Sequence, residues 1–167
     1  LRDELTGLYN RRGFLEVAAQ VHSLAQRDGR SAALVFVDLN GMKRINDELG
    51  HDVGDDALVD AAQVLRSALR ESDVLARLGG DEFVAFALDF GPVDIDLLRM
   101  RLRALLDARV AELARPYRLS MSVGAAFLRA DAPRSVSELL DEADAAMYAQ
   151  KNARRAAGGV SMPPPVA

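Results

Sequence analysis

Apolar residues recur at two spacings along the chain, and the switches between them mark out its elements. Phe14, Val17, Ala18, Val21, Leu24 and Ala25 follow a helical period until Asp28-Gly29 stops it, which predicts an amphipathic first helix after the turn-rich residues 1–10. Ala33-Leu34-Val35-Phe36-Val37 is instead a continuous apolar run, as in a strand buried on both faces, and it ends at Asp38. Gly41 opens a short helix, MKRINDEL, closed by Gly50, and Leu58, Ala62, Leu65 and Leu69 line one face of a longer one. Val74, Ala76 and Leu78 alternate into Gly79-Gly80, and the run from Phe83 to Leu88 leads out, so a β-hairpin is predicted with Asp81 and Glu82 at its tip. Leu98, Leu102, Leu105, Leu106, Val110 and Leu113 predict a long helix ended before Pro116. Leu119, Met121 and Val123 alternate with Ser120 and Ser122 in a further strand, and the capping box Ser135-x-x-Glu138 starts a last helix.

From Gly158 onward, GGVSMPPPVA reads as a flexible or polyproline tail, residues 158–167, leaving residues 1–157 as one domain. The element order predicts a mixed α/β sheet with helices on its faces, and there is no internal repeat.

Composition narrows the chemistry. With 21 Lys and Arg against 25 Asp and Glu, the net charge of −4 argues against a nucleic-acid polymer as partner, although a local phosphate site stays open. There is no cysteine and there are only two histidines, which excludes thiolate catalysis and disulfides and leaves a hard cation on carboxylates as the available metal chemistry. No apolar run approaches the ~20 residues of a membrane span, so a soluble, cytoplasmic domain without direct membrane contact is expected.

Two places hold carboxylates where a fold has no use for them. Asp38 ends a buried strand, where α/β-type sheets place their ligand chemistry. Asp81 and Glu82 follow two glycines that admit positive φ and close ligand approach. Each alone is an ordinary cap or acidic turn.

The segments DELTGLYNRRGF, VDLNGMKRINDELGHDVGDDAL, RLGGDEF, SMSVGAA and ADAAMYAQKNARR occur in order over residues 3–155. Together they closely resemble the GGDEF family of bacterial diguanylate cyclases. The resemblance implies an α+β fold, a five-stranded sheet wrapped by helices and related to the polymerase palm and to nucleotide cyclases. It also implies condensation of two GTP into cyclic di-GMP with release of two pyrophosphates.

Attack of a ribose 3′-hydroxyl on an α-phosphate needs charge neutralisation and a deprotonated nucleophile, which divalent metals on carboxylates supply. By resemblance, Asp38, Asp81 and the Leu39 carbonyl hold Mg²⁺ (or Mn²⁺), Asp81 or a bound hydroxide takes the hydroxyl proton, and Glu82 is the partner carboxylate. The amides of Gly41 and Met42, at a helix start, and the Lys43 ammonium are the expected phosphate donors. Lys151 and Arg155 stand i, i+4 on the last helix, so both heads can reach one γ-phosphate. Asp55 matches the guanine-reading carboxylate, which adenine would leave unpaired, and Asn46 its partner at the other side of the base.

Arg70 and Asp73 match the family's R-x-x-D inhibitory product site, where an Arg fork and a carboxylate suit the guanine edges of cyclic di-GMP. Arg99, Arg101 and Arg103 are candidates for the further arginine that completes such a pocket. The chain departs from the family at Arg154, where glycine is usual, and at Gly41-Met42, where an aromatic is common. The resemblance implies a transient homodimer facing two GTP together, within a larger parent protein that supplies sensory input. The competing reading is a catalytically silent receptor that binds cyclic di-GMP at Arg70 and Asp73.

Overall fold

The computed structural model describes residues 1–161. Helix α1 (Arg11–Arg27) leads into β1 (Ala32–Asn40), followed by α2 (Met42–Leu49) and α3 (His51–Ala68). The hairpin is β2 (Val74–Gly79) and β3 (Glu82–Leu88); α4 (Pro92–Glu112), β4 (Ser120–Leu128) and α5 (Val136–Ser161) complete the order. Thus α5 includes residues 158–161 of the expected tail, and residues 162–167 lie outside the described residues.

The sheet has the order β2-β3-β1-β4. Every paired neighbour is antiparallel. This is the split-βαβ arrangement: each crossover lays its second strand parallel to the first but one place away, and an antiparallel strand fills the gap. The expected mixed, five-stranded sheet therefore resolves, among the described residues, into four antiparallel strands. The turn-rich segment before α1 forms an isolated antiparallel bridge of its own, Arg2 to Tyr9, and meets the sheet in an isolated parallel bridge, Tyr9 to Ala76, with Arg77 N–H donating to the Tyr9 carbonyl at 2.9 Å. Its backbone also holds a tight turn in which the Asp3 carboxylate accepts from Thr6 N–H at 2.9 Å and Gly7 takes φ +73°.

Period-two alternation sends β1 to both faces. Val35, Val37 and Leu39 pack with α2, α3 and α4, while Leu34 and Phe36 pack with α1 and α5. Asp38 belongs to the second set, so its carboxylate emerges toward α5. That helix lies very close to β4: a Cβ on Gly124 would fall 2.0 Å from Met147 N and 2.6 Å from the Ala143 carbonyl oxygen. Only glycine allows this approach. Among the described residues, no helix is long and apolar enough to cross a membrane.

Candidate active site

The register of β1 against β3 places Asp38 directly opposite Glu82, and Leu39 N–H donates to the Asp81 carbonyl at 3.1 Å. Asp81 follows the turn, where Gly79 and Gly80 take φ +146° and +51°. Three carboxylates therefore converge where the hairpin tip meets the end of β1. Asp38 is 7% exposed. From the helical side, Lys151 ion-pairs with Asp38.

One lysine does not neutralise this group. Burial, reinforced by the Asp38 charge, holds the Asp81 carboxyl above its ordinary range, with Lys151 opposing. Glu82 is raised by burial, then by Asp38, Asp144 and Asp81, against a lowering influence from Arg11. The partly buried Asp38 and Asp81 carboxyls, with only Lys151 opposing their charge, are oxygen donors of the kind a hard divalent cation prefers, so their chemistry fits Mg²⁺ or Mn²⁺. Among the described residues, no cluster of three or more metal-type side chains is preformed.

A cavity of about 650 Å³ opens beside the carboxylates. Leu39, Gly41, Met42, Lys43, Asp81, Lys151 and Arg155 line it, so seven of the residues singled out by sequence line one cavity. Gly41, at φ +91°, turns the chain out of β1 into α2, and no side chain caps the amides at that helix start. First-turn N–H groups there, with the cations of α5 opposite, are the kind of donors that suit an anion. Arg154 also lines the cavity. It stands three residues after Lys151 and hence on the same helical face, the signal by which this cation was legible.

Asn46 and Asp55 lie off this cavity, and Asn46 packs on α3 beside Gly54, the residue before Asp55. A Cβ on Gly54 would sit 1.8 Å from Asn46 Oδ1, so the Asn46 amide rests on α3 in the space left by a glycine, one residue from Asp55. Sequence reasoning missed Gly54. An isolated glycine inside a helical pattern was the available signal.

Arg70 and Asp73 sit apart from the carboxylates, at the turn between α3 and β2. Asp73 accepts from Arg70 N–H at 2.8 Å, and Asp73 N–H returns a bond to the Arg70 carbonyl at 3.0 Å. Burial raises the Asp73 carboxyl despite that contact. The Arg70 residue is exposed. Of the three arginines considered beside this pair, Arg99 turns toward β4, where it donates to the Val123 carbonyl at 2.7 Å. Arg103, one turn on, lines a groove between α4 and β4. Arg101 projects from another side of the helix.

The chain matches the family described as "Diguanylate cyclase, GGDEF domain" over residues 1–157, and it belongs to that family. It is 38% identical over 162 residues to the bifunctional diguanylate cyclase/cyclic di-GMP phosphodiesterase MucR of Pseudomonas aeruginosa, covering 93% of this chain and 22% of MucR. The chain thus spans less than a quarter of that relative's length. The GGDEF domain of TpbB (YfiN) from Pseudomonas aeruginosa superposes with a TM-score of 0.81 at 33% identity, covering 91% of this chain and 89% of that one. The GGDEF domain of DgcB from Caulobacter crescentus, solved in complex with c-di-GMP, gives a TM-score of 0.81 at 25% identity over 91% of this chain and 90% of its own.

Proposed function

We propose that this domain is an active diguanylate cyclase, condensing two GTP into cyclic di-GMP and two pyrophosphates as a transient homodimer. The observation that carries the reading is the Asp38–Asp81 pair, met by Lys151 at the mouth of a cavity whose other wall is the uncapped start of α2. Each copy binds one GTP: the amides at Gly41 and Met42 with Lys43, Lys151 and Arg155 take the triphosphate, and Asn46 and Asp55 take guanine. The 3′-oxygen of one nucleotide attacks the α-phosphorus of the other, its proton passes to Asp81, and the bond to pyrophosphate breaks. The same exchange in the opposite direction closes the ring. Asp38, Asp81 and the Leu39 carbonyl would hold Mg²⁺ or Mn²⁺, which when bound would neutralise the phosphate charge, and Glu82 would serve as the partner carboxylate.

Product inhibition is assigned to Arg70 and Asp73, with Arg101 as the α4 arginine left after Arg99 and Arg103 turn toward β4.

The test is incubation with GTP and Mg²⁺ over a range of domain concentrations, with mass analysis of the product. Cyclic di-GMP should form, and specific activity should rise with concentration, since one half-site cannot complete the reaction. Flat specific activity down to demonstrably monomeric protein contradicts the dimer. Tight binding of cyclic di-GMP without any turnover favours the silent-receptor reading.

A further inference from the structure

β4 is an edge strand, so one row of its backbone groups has no neighbouring strand. At Val123 both groups are nonetheless bonded. The Val123 N–H donates to Gln150 Oε1 of α5 at 2.9 Å, and the Val123 carbonyl accepts from an Arg99 terminal nitrogen of α4 at 2.7 Å. Asp96, one turn before Arg99 on α4, holds the other terminal nitrogen at 3.0 Å. A single edge residue is thus gripped from two helices.

The next residue in sequence, Gly124, is where the α5 backbone sits directly on the strand. The next residue after Gln150 is Lys151, which reaches across β4 to Asp38, itself paired in register with Ser122. Close approach at Gly124 fixes how far α5 stands from the sheet. It does not fix rotation or sliding along the strand. A directional hydrogen bond one residue before Lys151 does.

We propose that Gln150 is a positioning residue: by accepting the Val123 N–H it sets the register of α5 on β4 that delivers Lys151 to the Asp38–Asp81 carboxylates, with Arg99 holding the other side of the same clamp. Gln150 itself lines the α4–β4 groove, so it acts through Lys151 and not on the nucleotide. The assignment rests on Lys151 as a triphosphate ligand, and its test separates the two claims.

The pair to compare is Gln150→Met, which keeps length and helix propensity but loses the acceptor, and Gln150→Glu, which keeps an acceptor oxygen. In the Met variant the Val123 amide should exchange with solvent at least ~5-fold faster, and the KM for GTP should rise about fivefold with kcat within about twofold, the worth of a neutral hydrogen bond. Gln150→Glu should return both to near the wild-type values. If the wild type makes no product, the cyclase reading fails, and the Kd of a non-hydrolysable GTP analogue decides the clamp in place of KM. A Val123 amide freed without any change in KM or Kd overturns the proposal, as does a Glu variant that protects Val123 yet still binds nucleotide like the Met variant.

Discussion

Lys151 and Asp38 are ion-paired across 113 residues of sequence, the one joining the last helix to the central strand where the hairpin tip arrives. The pair leaves Asp81 and Glu82 as surplus negative charge in a partly buried place.

That surplus has a direction in pH. Burial and the Asp38 charge raise the folded-state pKa of Asp81, so the folded form keeps a proton that the unfolded chain has already released. Stability from this group then falls as pH rises from the ordinary carboxylate value through the raised one, and above the raised value the ionised side chain opposes folding. Asp81→Asn should abolish turnover yet raise Tm in metal-free buffer, by roughly 2–4 °C for each kcal/mol released in a chain this size. Mg²⁺ should raise the Tm of the wild type and leave that of the variant unchanged, since a cation stabilises only the state that binds it. Thermal unfolding in EDTA and in Mg²⁺, beside a turnover assay, checks both. A well-folded Asp38→Asn or Asp81→Asn protein with wild-type turnover would remove the pair from the mechanism.

On the proposed reading, base recognition depends on a glycine. Since a Cβ at position 54 would overlap Asn46 Oδ1, Gly54→Ala must push the Asn46 amide off α3. Its kcat/KM for GTP should drop about tenfold, equivalent to roughly one hydrogen bond of ~1.4 kcal/mol, with the fold retained. Asp55→Ser should instead relax the preference for GTP over ATP, because the carboxylate that penalises adenine is gone. Turnover of both nucleotides at equal concentration distinguishes the two effects. An unchanged preference in Asp55→Ser would place selectivity elsewhere.

Elements were legible because their periods are local: the continuous run of β1, the alternation into Gly79-Gly80 and the helical stripes all survive in the fold. Strand direction is not encoded in those periods, which is why a mixed sheet was expected where the hairpin slots β3 between two parallel partners. Asp38 and Asp81 could be singled out as carboxylates out of place, but their pairing came only through the family resemblance, and the contact of Lys151 with Asp38 was not foreseen at all, as no spacing rule spans that distance. Gly54, Gly124 and Gln150 escaped because their roles are defined by what lies across the contact. A glycine inside a helix and another inside a strand were the only traces of two close approaches.

The Arg70–Asp73 turn separates backbone from side chain. Asp73 accepts from the Arg70 main-chain N–H, so Arg70→Ala keeps the turn and removes only the exposed guanidinium. Affinity for cyclic di-GMP should weaken about tenfold or more, the scale of a charge-assisted contact of ~1.5–3 kcal/mol, while initial turnover before product accumulates stays at the wild-type rate. Calorimetric titration of cyclic di-GMP with matching progress curves tests this. Equal affinity in the two proteins would reduce the segment to a capped turn.

One buried carboxylate lies remote from the Asp38–Asp81 pair. Asp60 of α3 is fully buried and accepts from Arg109 Nε at 2.7 Å, from Arg115 Nε at 2.9 Å and from the Tyr117 hydroxyl. It ties α3 to the end of α4 and to the segment entering β4. Burial pushes its pKa up, but the hydrogen bonds from Arg115, Tyr117 and Arg109 prevail and hold it below the ordinary carboxylate value. The contribution is therefore fully present above that ordinary value and is lost as pH falls toward the lowered one. Asp60→Ala strands two guanidiniums and a hydroxyl whose proton the cluster already holds more tightly than usual. Since Arg109 and Arg115 keep side-chain exposures of 33% and 25%, the loss should fall near the lower end of the ~3–5 kcal/mol range for a broken buried pair. At about 3 kcal/mol, Tm would drop by roughly 6–12 °C at pH 7. Turnover well below that temperature should be unaffected. Unfolding of both proteins at pH 7 and in acid decides the cause: a gap that narrows in acid belongs to the ionised cluster, and one that stays constant belongs to packing alone.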